Sequence, residues 1–595
     1  MILKHLAVRG HLLVGGVLCL CLVPLYARAL SISSPPSFTA ASNAPLAGVL
    51  QVSTDVPSRV SVSMTDGVAA WSRDFYDYAT SHAITLAGFK PNRTNDITVT
   101  VHDRYRNTVT LQQPVGFITP ALPADFPPLT LISSQPDKME PGFTLFRPVN
   151  TNTRKAYLTL VDNAGEVVWY SGVNSTLDVR QLANGDLQVP LRTSFAEINL
   201  LGQTVRTWNA PAGYAVDMHD GVPTSHGTIL YLSGASRVVA NYPTSATDPA
   251  APLQTTNVDY QRVVEISATN SALLNSWNLI DMLQPTRINY LAFDFYFPGL
   301  GWDGEHANAV IEDPRDNSVI VSLRHQDAVV KFTRTGQLKW ILGPHNNWGP
   351  QFQPYLLTPV GTPFEWNYGQ HAPMITPQGT LLLHDNGNYR AEPFDTLVPD
   401  AANYSRIVEY SVNEQSMEVS QVWDYGRTNA HRLFTDKVGS ADWLPQTGNV
   451  LMGFGSIDYL DGNPPSAFVP SATMVRIQEV THDANPQVVF DLAAFDFSNT
   501  NASYLGVTMY RAHRVPDLYA HLPQPVQDLT VELSDSGATL SFSADPVRTY
   551  TIQTSPDLAH WTDLGTPTPT VPGEFVLVDT AAAGAPACYY RVASH

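Results

Sequence analysis

The chain has few cysteines and few cationic residues for its length of 595 residues. Of its three cysteines, Cys19 and Cys21 lie in an apolar N-terminal segment, which leaves Cys588 alone in the remainder. Removal of that segment would exclude any internal disulfide, so the fold must be stabilised by packing. Lys and Arg total 34 against 53 Asp and Glu, a net charge of −19, and no run rich in Lys or Arg occurs. Nucleic acid is therefore not expected as a partner.

Motifs for the common cofactors are also missing. There is no Gly-x-x-x-x-Gly-Lys-Ser/Thr loop and no Gly-x-Gly-x-x-Gly ahead of a helix, so no nucleotide is expected. His-Glu-x-x-His, paired Cys-x-x-Cys and Gly-x-Ser-x-Gly are absent as well. Their absence argues against the common zinc-protease, zinc-ribbon and serine-hydrolase sites. We therefore expect neither a cofactor nor a metal.

The first residues have the features of a secretory signal. Lys4 and Arg9 precede an apolar run over residues 12–25, and residues 27–29, Ala-Arg-Ala, fit a small-x-small cleavage site. The run is shorter than the roughly 20 residues that a membrane-spanning helix needs. We expect residues 1–29 to be a signal peptide, the mature chain to have no stable membrane span, and the protein to be exported to the periplasm or secreted.

The remainder of the sequence predicts β structure. With 46 Pro and 37 Gly, turns are frequent. Residues 30–120 alternate between polar and apolar side chains, as in 59–64 and 96–101, which predicts an N-terminal, fibronectin-like β-sandwich. A proline-rich linker follows. Residues 524–595 alternate again and predict a small C-terminal β-sandwich module.

Residues 121–523 contain an irregular internal repeat. Each copy has an apolar strand with a central polar residue, a polar turn, and a second strand that ends in an aromatic residue. The copies lie at 160–169, 198–208, 264–277, 330–340, 408–423 and 475–490. Repeated hairpins of this kind predict a six-bladed β-propeller, because closing the blades into a ring protects the sheet edges. The predicted fold class is all-β.

Chemistry-bearing residues stand at the ends of the predicted blade strands. The inner strands of a propeller converge on one axial channel, so groups from different blades can face a common cavity. These residues are His219, His306, His325, His371 and Arg390. His384, by contrast, lies on the apolar strand 381–383 and is expected in the core.

Several of these segments, in this order, resemble the central blades of the bacterial arylsulfate sulfotransferase family. The matching segments are 305–310, 322–331, 338–342, 370–372, 385–390, 404–406 and 422–426. The resemblance covers most of the propeller and implies transfer of a sulfuryl group from a phenolic sulfate ester to a phenol. It further implies a ping-pong route through a sulfated histidine that does not use PAPS. The implied partners are a small aryl sulfate and a phenol.

By motif, His306, His371 and Arg390 match active-site positions of that family. Arg390 would hold two sulfuryl oxygens with its planar guanidinium, and the histidines would donate to the sulfuryl group or to the leaving oxygen. The residues expected to bind substrate are His219, His325, Asn386 and Asn388. Alternatives remain open: the turn at His219 could cap a strand, His325 could support the site from behind, and Arg390 could pair with Glu392.

The chain departs from the family at the nucleophile. The family's nucleophilic histidine follows a Gly-rich strand, and the matching segment here, residues 453–459, carries Asp458 instead. Three hypotheses follow: a sulfotransferase with another nucleophile, a non-catalytic propeller that binds a ligand or partner protein, or a sulfate-ester hydrolase in which Asp458 activates water. If transfer persists, His371 is the first candidate nucleophile, with Asp458 holding its reactive tautomer.

Overall fold

The protein is all-β, as predicted. The computed structural model describes residues 3–6, 29–105, 107–172, 177–217, 219–427, 432–519, 526–544, 548–571, 573–583 and 587–594. Helix within these ranges is limited to short turns, which are Leu279–Met282, Pro136–Lys138, Arg324–Gln326, Pro350–Tyr355, Asp400–Ala402 and Thr580–Ala582. None of the described helices is long and apolar enough to cross a membrane.

The N-terminal region is one bent sheet of six strands. These are Ile32–Ala40, Ala47–Thr65, Ala70–Ala87, Thr94–Asp103, Thr108–Thr110 and Val115–Ile118. The first half of the long second strand pairs with Ile32–Ala40 and its second half with Thr94–Asp103. The bend brings Phe38 and Phe117, from the first and last strands, to 4.3 Å between ring centroids. A sandwich-like core results.

Six sheets follow, each with four main strands, and the fourth strand of the first sheet, Ala512–Val515, comes from the end of this region. The first three sheets are Phe143–Phe146, Leu158–Val161, Val167–Ser171 with Ala512–Val515; Arg180–Gln181, Leu187–Pro190, Ser194–Ile198, Thr204–Asn209; and Gly221–Pro223, Thr228–Tyr242, Gln254–Ser267, Leu273–Asn278. The next three are Ala307–Asp313, Ser318–Leu323, Ala328–Phe332, Leu338–Leu342; His371–Ile375, Leu381–Asp385, Arg406–Asn413, Glu418–Tyr425; and Ser440–Trp443, Val450–Leu460, Met474–Val480, Val488–Ala494.

Smaller strands extend or join these sheets. They are Leu129–Ser134, Val149–Asn150, Lys155–Ala156, Tyr296–Phe297, Gly301–Asp303, Thr358–Pro359, Leu433–Thr435 and Val507–Thr508.

The six sheets form a closed series, and we call them blades 1 to 6. Ala512–Val515 pairs with Phe143–Phe146, so the end of the region completes the sheet with which it began. The innermost strands of blades 4, 5 and 6 contact one another in turn, and the last of them contacts Ala512–Val515. This is the arrangement expected of a six-bladed propeller.

The aromatic residue that ends each repeat has a clear structural role. In five blades it is a tryptophan whose indole N–H donates to an oxygen in the third turn of the next blade, at 2.7 to 3.2 Å. The donors and acceptors are Trp169 to Leu200, Trp208 to Ala268, Trp277 to Arg334, Trp340 to Glu414 and Trp423 to Asp483. The repeat is therefore visible in the sequence because each copy must bind its neighbour.

The C-terminal module has two four-stranded sheets. Their strands are Gln527–Ser534, Gly537–Ser543, Thr568–Val571 and Glu574–Asp579, and Leu3–Leu6, Tyr550–Ser555, Thr562–Gly565 and Ala587–Ser594. Leu3–Leu6 belongs to the predicted signal peptide, and residues 7–28 of that segment lie outside the described residues. The signal peptide stays a prediction.

Candidate active site

Chemistry-bearing side chains gather where the chain enters the innermost strands. His306 and His371 stand immediately before and at the first residue of the inner strands of blades 4 and 5, and His219 precedes that of blade 3. Tyr510 occupies the same position before the closing strand of blade 1. His306 has a φ of 45°, a left-handed conformation that a non-glycine residue rarely adopts and that is often found at functional sites.

The structure brings the four predicted histidines together. The ring centroids of His219 and His306 are 4.9 Å apart, and those of His306 and His325 are 4.6 Å apart with an interplanar angle of 28°. The Tyr510 ring lies 5.9 Å from His219 and 6.3 Å from His371. We call these four imidazoles the imidazole cluster.

An oxygen acceptor at Nδ1 fixes the tautomer of each of the four rings. Nδ1 of His219 lies 2.5 Å from an Asp217 carboxylate oxygen, and Nδ1 of His306 lies 2.5 Å from Oδ2 of Asp303. A carboxylate only accepts, so each Nδ1 carries the proton. Neither ring has a partner for its Nε2 among the described residues, so these atoms remain available to a substrate.

His371 is held in the same way by Asn386. Its Nδ1 lies 2.6 Å from Asn386 Oδ1, and the Asn386 amide donates to the carbonyl oxygens of Thr435 and Val438 at 3.0 and 2.8 Å. Because those two bonds occupy the amide N–H groups, Oδ1 must face the ring and accept its proton. Asn386 therefore positions His371.

The environments of His219 and His306 move their pKa values in opposite directions. Burial lowers the pKa of His306 below its ordinary value, and the Asp303 carboxylate does not fully offset this. Burial also disfavours charge on His219, but the Asp217 carboxylate outweighs it, so the pKa of His219 is raised. Adjacent groups shifted apart in this way commonly serve as a neutral base and a charged acid.

Arg324 supplies the nearest cation to the cluster. Its guanidinium donates to Nε2 of His325 at 2.9 Å and to the carbonyl of Asp436 at 3.0 Å, and its buried Nε–H has no partner among the described residues. Its charge helps to lower the pKa of His306 and of His371. Sequence reasoning did not select Arg324, although it directly precedes His325 in a matched segment.

His325 supports the site from behind. Its Nδ1–H donates to the carbonyl of Asp303 at 2.8 Å, while Nε2 accepts from Arg324, so both nitrogens are occupied. Burial lowers the pKa of His325 to about 3. The ring is therefore neutral, and both of its nitrogens bind protein groups, one of them Arg324.

Arg390 lies in a separate charged cluster. Its guanidinium bonds Glu365 and Asp385 at 3.1 Å each and the carbonyl of Tyr404 at 2.7 Å. It also stacks on the Tyr404 ring, 3.7 Å from the centroid, and donates to Asn403. Within the described residues it bonds no imidazole. Its partners differ from the Glu392 considered above, and none of them belongs to the imidazole cluster.

Asp458 is connected to the site only indirectly. It lies on the second strand of blade 6, where its Oδ2 accepts from the backbone N–H of Asp436 at 3.1 Å. Burial and the Asp436 carboxylate raise its pKa to about 7. Among the described residues it does not bond His371, and Asn386 takes the tautomer-fixing role expected of it. Asn388 donates to the same Asp436 carbonyl as Arg324, at 2.9 Å.

A buried charge network continues along the inner strands. Arg511, next to Tyr510, pairs with Asp178 at 3.4 Å and Asp220 at 3.1 Å, and both carboxylates also bind Arg180. These residues come from blades 1 to 3 and were not predicted, because only closure of the propeller ring brings Arg511 close to Asp178 and Asp220. His384 is buried against Phe454, as expected for a core residue.

Comparison with known proteins identifies relatives of the blade region. A family model described as Arylsulfotransferase (ASST) matches residues 129–504. Curated proteins called arylsulfate sulfotransferase AssT, from Escherichia coli O6:H1 and Lelliottia amnigena, are 28% identical over 368 residues and 24% identical over 365 residues. Each alignment covers 52% of this chain and 59% of the relative, so the chain matches less than two thirds of either relative.

A solved structure of a Bacteroides caccae protein of unknown function aligns with this chain, and the alignment covers 62% of this chain and 98% of the Bacteroides protein. The identity is 12% and the TM-score is 0.36, too low to carry an argument.

Proposed function

Because the chain belongs to the arylsulfotransferase family, we propose that it transfers a sulfuryl group from a phenolic sulfate ester to a phenol by a ping-pong route. The supporting observation is the pair of adjacent imidazoles, His219 and His306, with free Nε2 atoms and oppositely shifted pKa values. One imidazole carries the sulfuryl group, and the other moves the proton. No nucleotide takes part.

His306 is the proposed nucleophile. Its Nε2 lone pair attacks sulfur, the bond from sulfur to the aryl oxygen breaks, and the phenolate leaves with both electrons. Asp303 stabilises the positive charge that develops on the ring, as a carboxylate does in a catalytic triad. His306 replaces His371 as first candidate because its side chain is 17% exposed, whereas His371 is buried.

His219 is the proposed acid and base. As an imidazolium it donates its Nε2 proton to the departing phenolate, and it then removes the proton of the acceptor phenol as that oxygen attacks the sulfated His306. The donor ester is thereby converted to a phenol, the acceptor to an ester, and both imidazoles return to their starting state.

Arg324 provides the charge that an anionic group in transfer requires. Sulfuryl transfer resembles phosphoryl transfer, in which positive groups and hydrogen-bond donors stabilise the equatorial oxygens. The unpartnered Nε–H of Arg324 and its charge serve that purpose. His371 presents only an acceptor at Nε2, so it suits the hydroxyl of the acceptor phenol better than a sulfuryl oxygen.

The test uses a chromogenic substrate. The mature protein is mixed with 4-nitrophenyl sulfate, with and without a second phenol and without nucleotide, and release of 4-nitrophenol is followed. We expect a burst followed by acceptor-dependent turnover, and a sulfuryl adduct on His306 by peptide mapping of quenched protein. His306→Asn should abolish the burst, whereas His226→Asn, at an exposed turn, should not. Turnover that is independent of the acceptor would indicate hydrolysis and contradict the proposal.

We also propose that the protein acts outside the cytoplasm, on the strength of its N-terminal charge and apolar pattern. N-terminal sequencing of exported protein should begin near Leu30. An intact Met1 in a membrane fraction would contradict this.

A further inference from the structure

A hairpin of blade 3 exposes aromatic side chains beside the imidazole cluster. Tyr296–Phe297 pairs with Gly301–Asp303, so the hairpin ends at Asp303, the residue that binds His306. Phe295 is 45% exposed and Phe297 is 38% exposed. Large apolar side chains are seldom left in a contiguous exposed group unless they bind something.

The exposed rings stack on the imidazole cluster through His306. Phe295 lies 6.4 Å from His306 at an interplanar angle of 27°, and Phe297 lies 6.3 Å from Phe295 at 4°. Since His306 also stacks on His325 at 28°, four successively stacked rings lead from the buried His325 to the exposed Phe297, and only the last two are nearly parallel. We call Phe295 and Phe297 the aryl platform.

The hairpin separates two sets of side chains. Residues 295 and 297 lie on the same side of an extended backbone, while Tyr296 faces the other way and packs on Trp302 at 5.1 Å. Tyr296 keeps this ring contact with Trp302, although it is itself 53% exposed. Within the described residues, the platform rings have each other and His306 as their ring contacts, so packing against a core does not explain them.

The two ends of the row differ in charge. At one end Arg324 binds His325, and at the other the rings are apolar and open to solvent. An aryl sulfate has the same polarity, with an anionic sulfate at one end and a planar apolar ring at the other. Its sulfur must reach Nε2 of His306, between the two ends, and its ring then lies towards the platform.

We propose that Phe295 and Phe297 bind the aryl ring of the phenolic substrates and so select aromatic over saturated alcohols and esters. The proposal rests on the proposed function, because it takes His306 as the point of transfer. Aromatic rings prefer offset-stacked or edge-to-face contacts with other rings, a preference that a saturated ring of similar size does not share.

Calorimetric binding of two acceptors, in the absence of any donor, tests the platform without requiring turnover. The probes are 2-naphthol and decahydro-2-naphthol, which share a hydroxyl and a two-ring skeleton, but only the first is aromatic. Phe295→Leu keeps an apolar side chain and removes the ring. We expect it to weaken 2-naphthol binding about tenfold, equivalent to about 1.4 kcal/mol, and to leave decahydro-2-naphthol binding unchanged. Phe295→Tyr should restore aromatic selectivity.

Phe468→Ala is the control, because Phe468 is another exposed phenylalanine, remote in sequence from the hairpin. If Phe295→Leu does not fold, Phe297→Leu tests the same row. Unchanged 2-naphthol binding in a folded platform variant overturns the proposal. If Phe295→Leu loses the preference for 2-naphthol but the wild-type protein transfers no sulfuryl group, only the proposed function is refuted. If the wild-type protein transfers the group but Phe295→Leu keeps the preference, only the platform is refuted.

Discussion

Replacing Asp303 with Asn exchanges one oxygen for an NH₂ group, yet it should remove most of the proposed activity. Asp303 Oδ2 accepts from His306 Nδ1 at 2.5 Å, which leaves the Nε2 lone pair directed at the substrate. An asparagine amide can donate instead, and Nδ1 then becomes the acceptor while the proton moves to Nε2. An imidazole protonated at Nε2 has no lone pair there with which to attack sulfur.

The expected size of the effect comes from the same exchange in a serine-protease triad, where it lowers kcat about 10⁴-fold. At 1.36 kcal/mol per tenfold change this corresponds to about 5 kcal/mol of barrier. The assay is the rapid release of 4-nitrophenol from 4-nitrophenyl sulfate in the first turnover at pH 7. It reports sulfation of the enzyme before any acceptor is needed.

Asp259→Asn is the matched control. Asp259 is the cross-strand partner of Asp303 in the same sheet, and it is also buried. Its pKa is raised to about 7 by burial and by the neighbouring Asp303, so near neutral pH the neutral amide resembles its protonated form. We expect this variant to stay close to the wild-type rate. If folded Asp303→Asn kept more than a tenth of the wild-type burst rate, the assignment of His306 would be wrong.

Three further changes separate the roles of the charged residues. Arg324→Lys should keep the charge but lose the fixed donor geometry, with a loss of about 10²- to 10³-fold in kcat, and a rate near wild type would remove Arg324 from the mechanism. Arg390→Ala should lower the free energy of unfolding in urea by on the order of 3 kcal/mol, because the buried Asp385 loses a partner. The KM for the donor should stay unchanged, and a raised KM with normal stability would return Arg390 to the substrate site. Burial holds the folded-state pKa of Asp458 near 7, above its ordinary 3.8, so its ionisation destabilises the fold progressively as pH rises between these values. Asp458→Asn should therefore raise Tm at pH 8 but not near pH 4, and an equal rise at both would contradict that pKa.

Much of the fold was predictable because its constraints are local and repeated. The aromatic at the end of each repeat could be recognised without knowing its purpose, which is to bind the next blade, as Trp169 does at Leu200. The histidines could be selected because each stands near the end of a predicted blade strand; His325, for example, lies in the turn that follows Ser318–Leu323. Their mutual contacts follow from ring closure, which places those positions at one end of the axis.

The roles of the two arginines could not be separated from sequence. Arg324 and Arg390 both lie in segments that match the family, and both are buried or nearly so. Arg390 is neutralised by Glu365, 25 residues earlier, and by Asp385 on the adjacent strand. Arg324 has a neutral histidine and a backbone carbonyl as its hydrogen-bond partners instead. Which guanidinium keeps charge for a substrate depends on these contacts, and the partners Glu365 and Asp436 lie 25 and 112 residues away, where no local pattern encodes them.

A charged Asp458 carboxylate would repel the anionic aryl sulfate, and the chain already carries a net charge of −19. The carboxylates nearest the proposed reacting groups are each bound to a partner: Asp217 to His219 and Asp303 to His306. Asp458 bonds no imidazole among the described residues, and although the Lys437 charge acts on it, its pKa near 7 leaves it largely uncharged in slightly acidic conditions. By the sequence resemblance, Asp458 stands where the family has its nucleophilic histidine. In the proposed mechanism Asp458 can be neutral while sulfate binds, and the nucleophile is His306, whose imidazole has its own carboxylate, Asp303. An aspartate at position 458 is then compatible with transfer through His306.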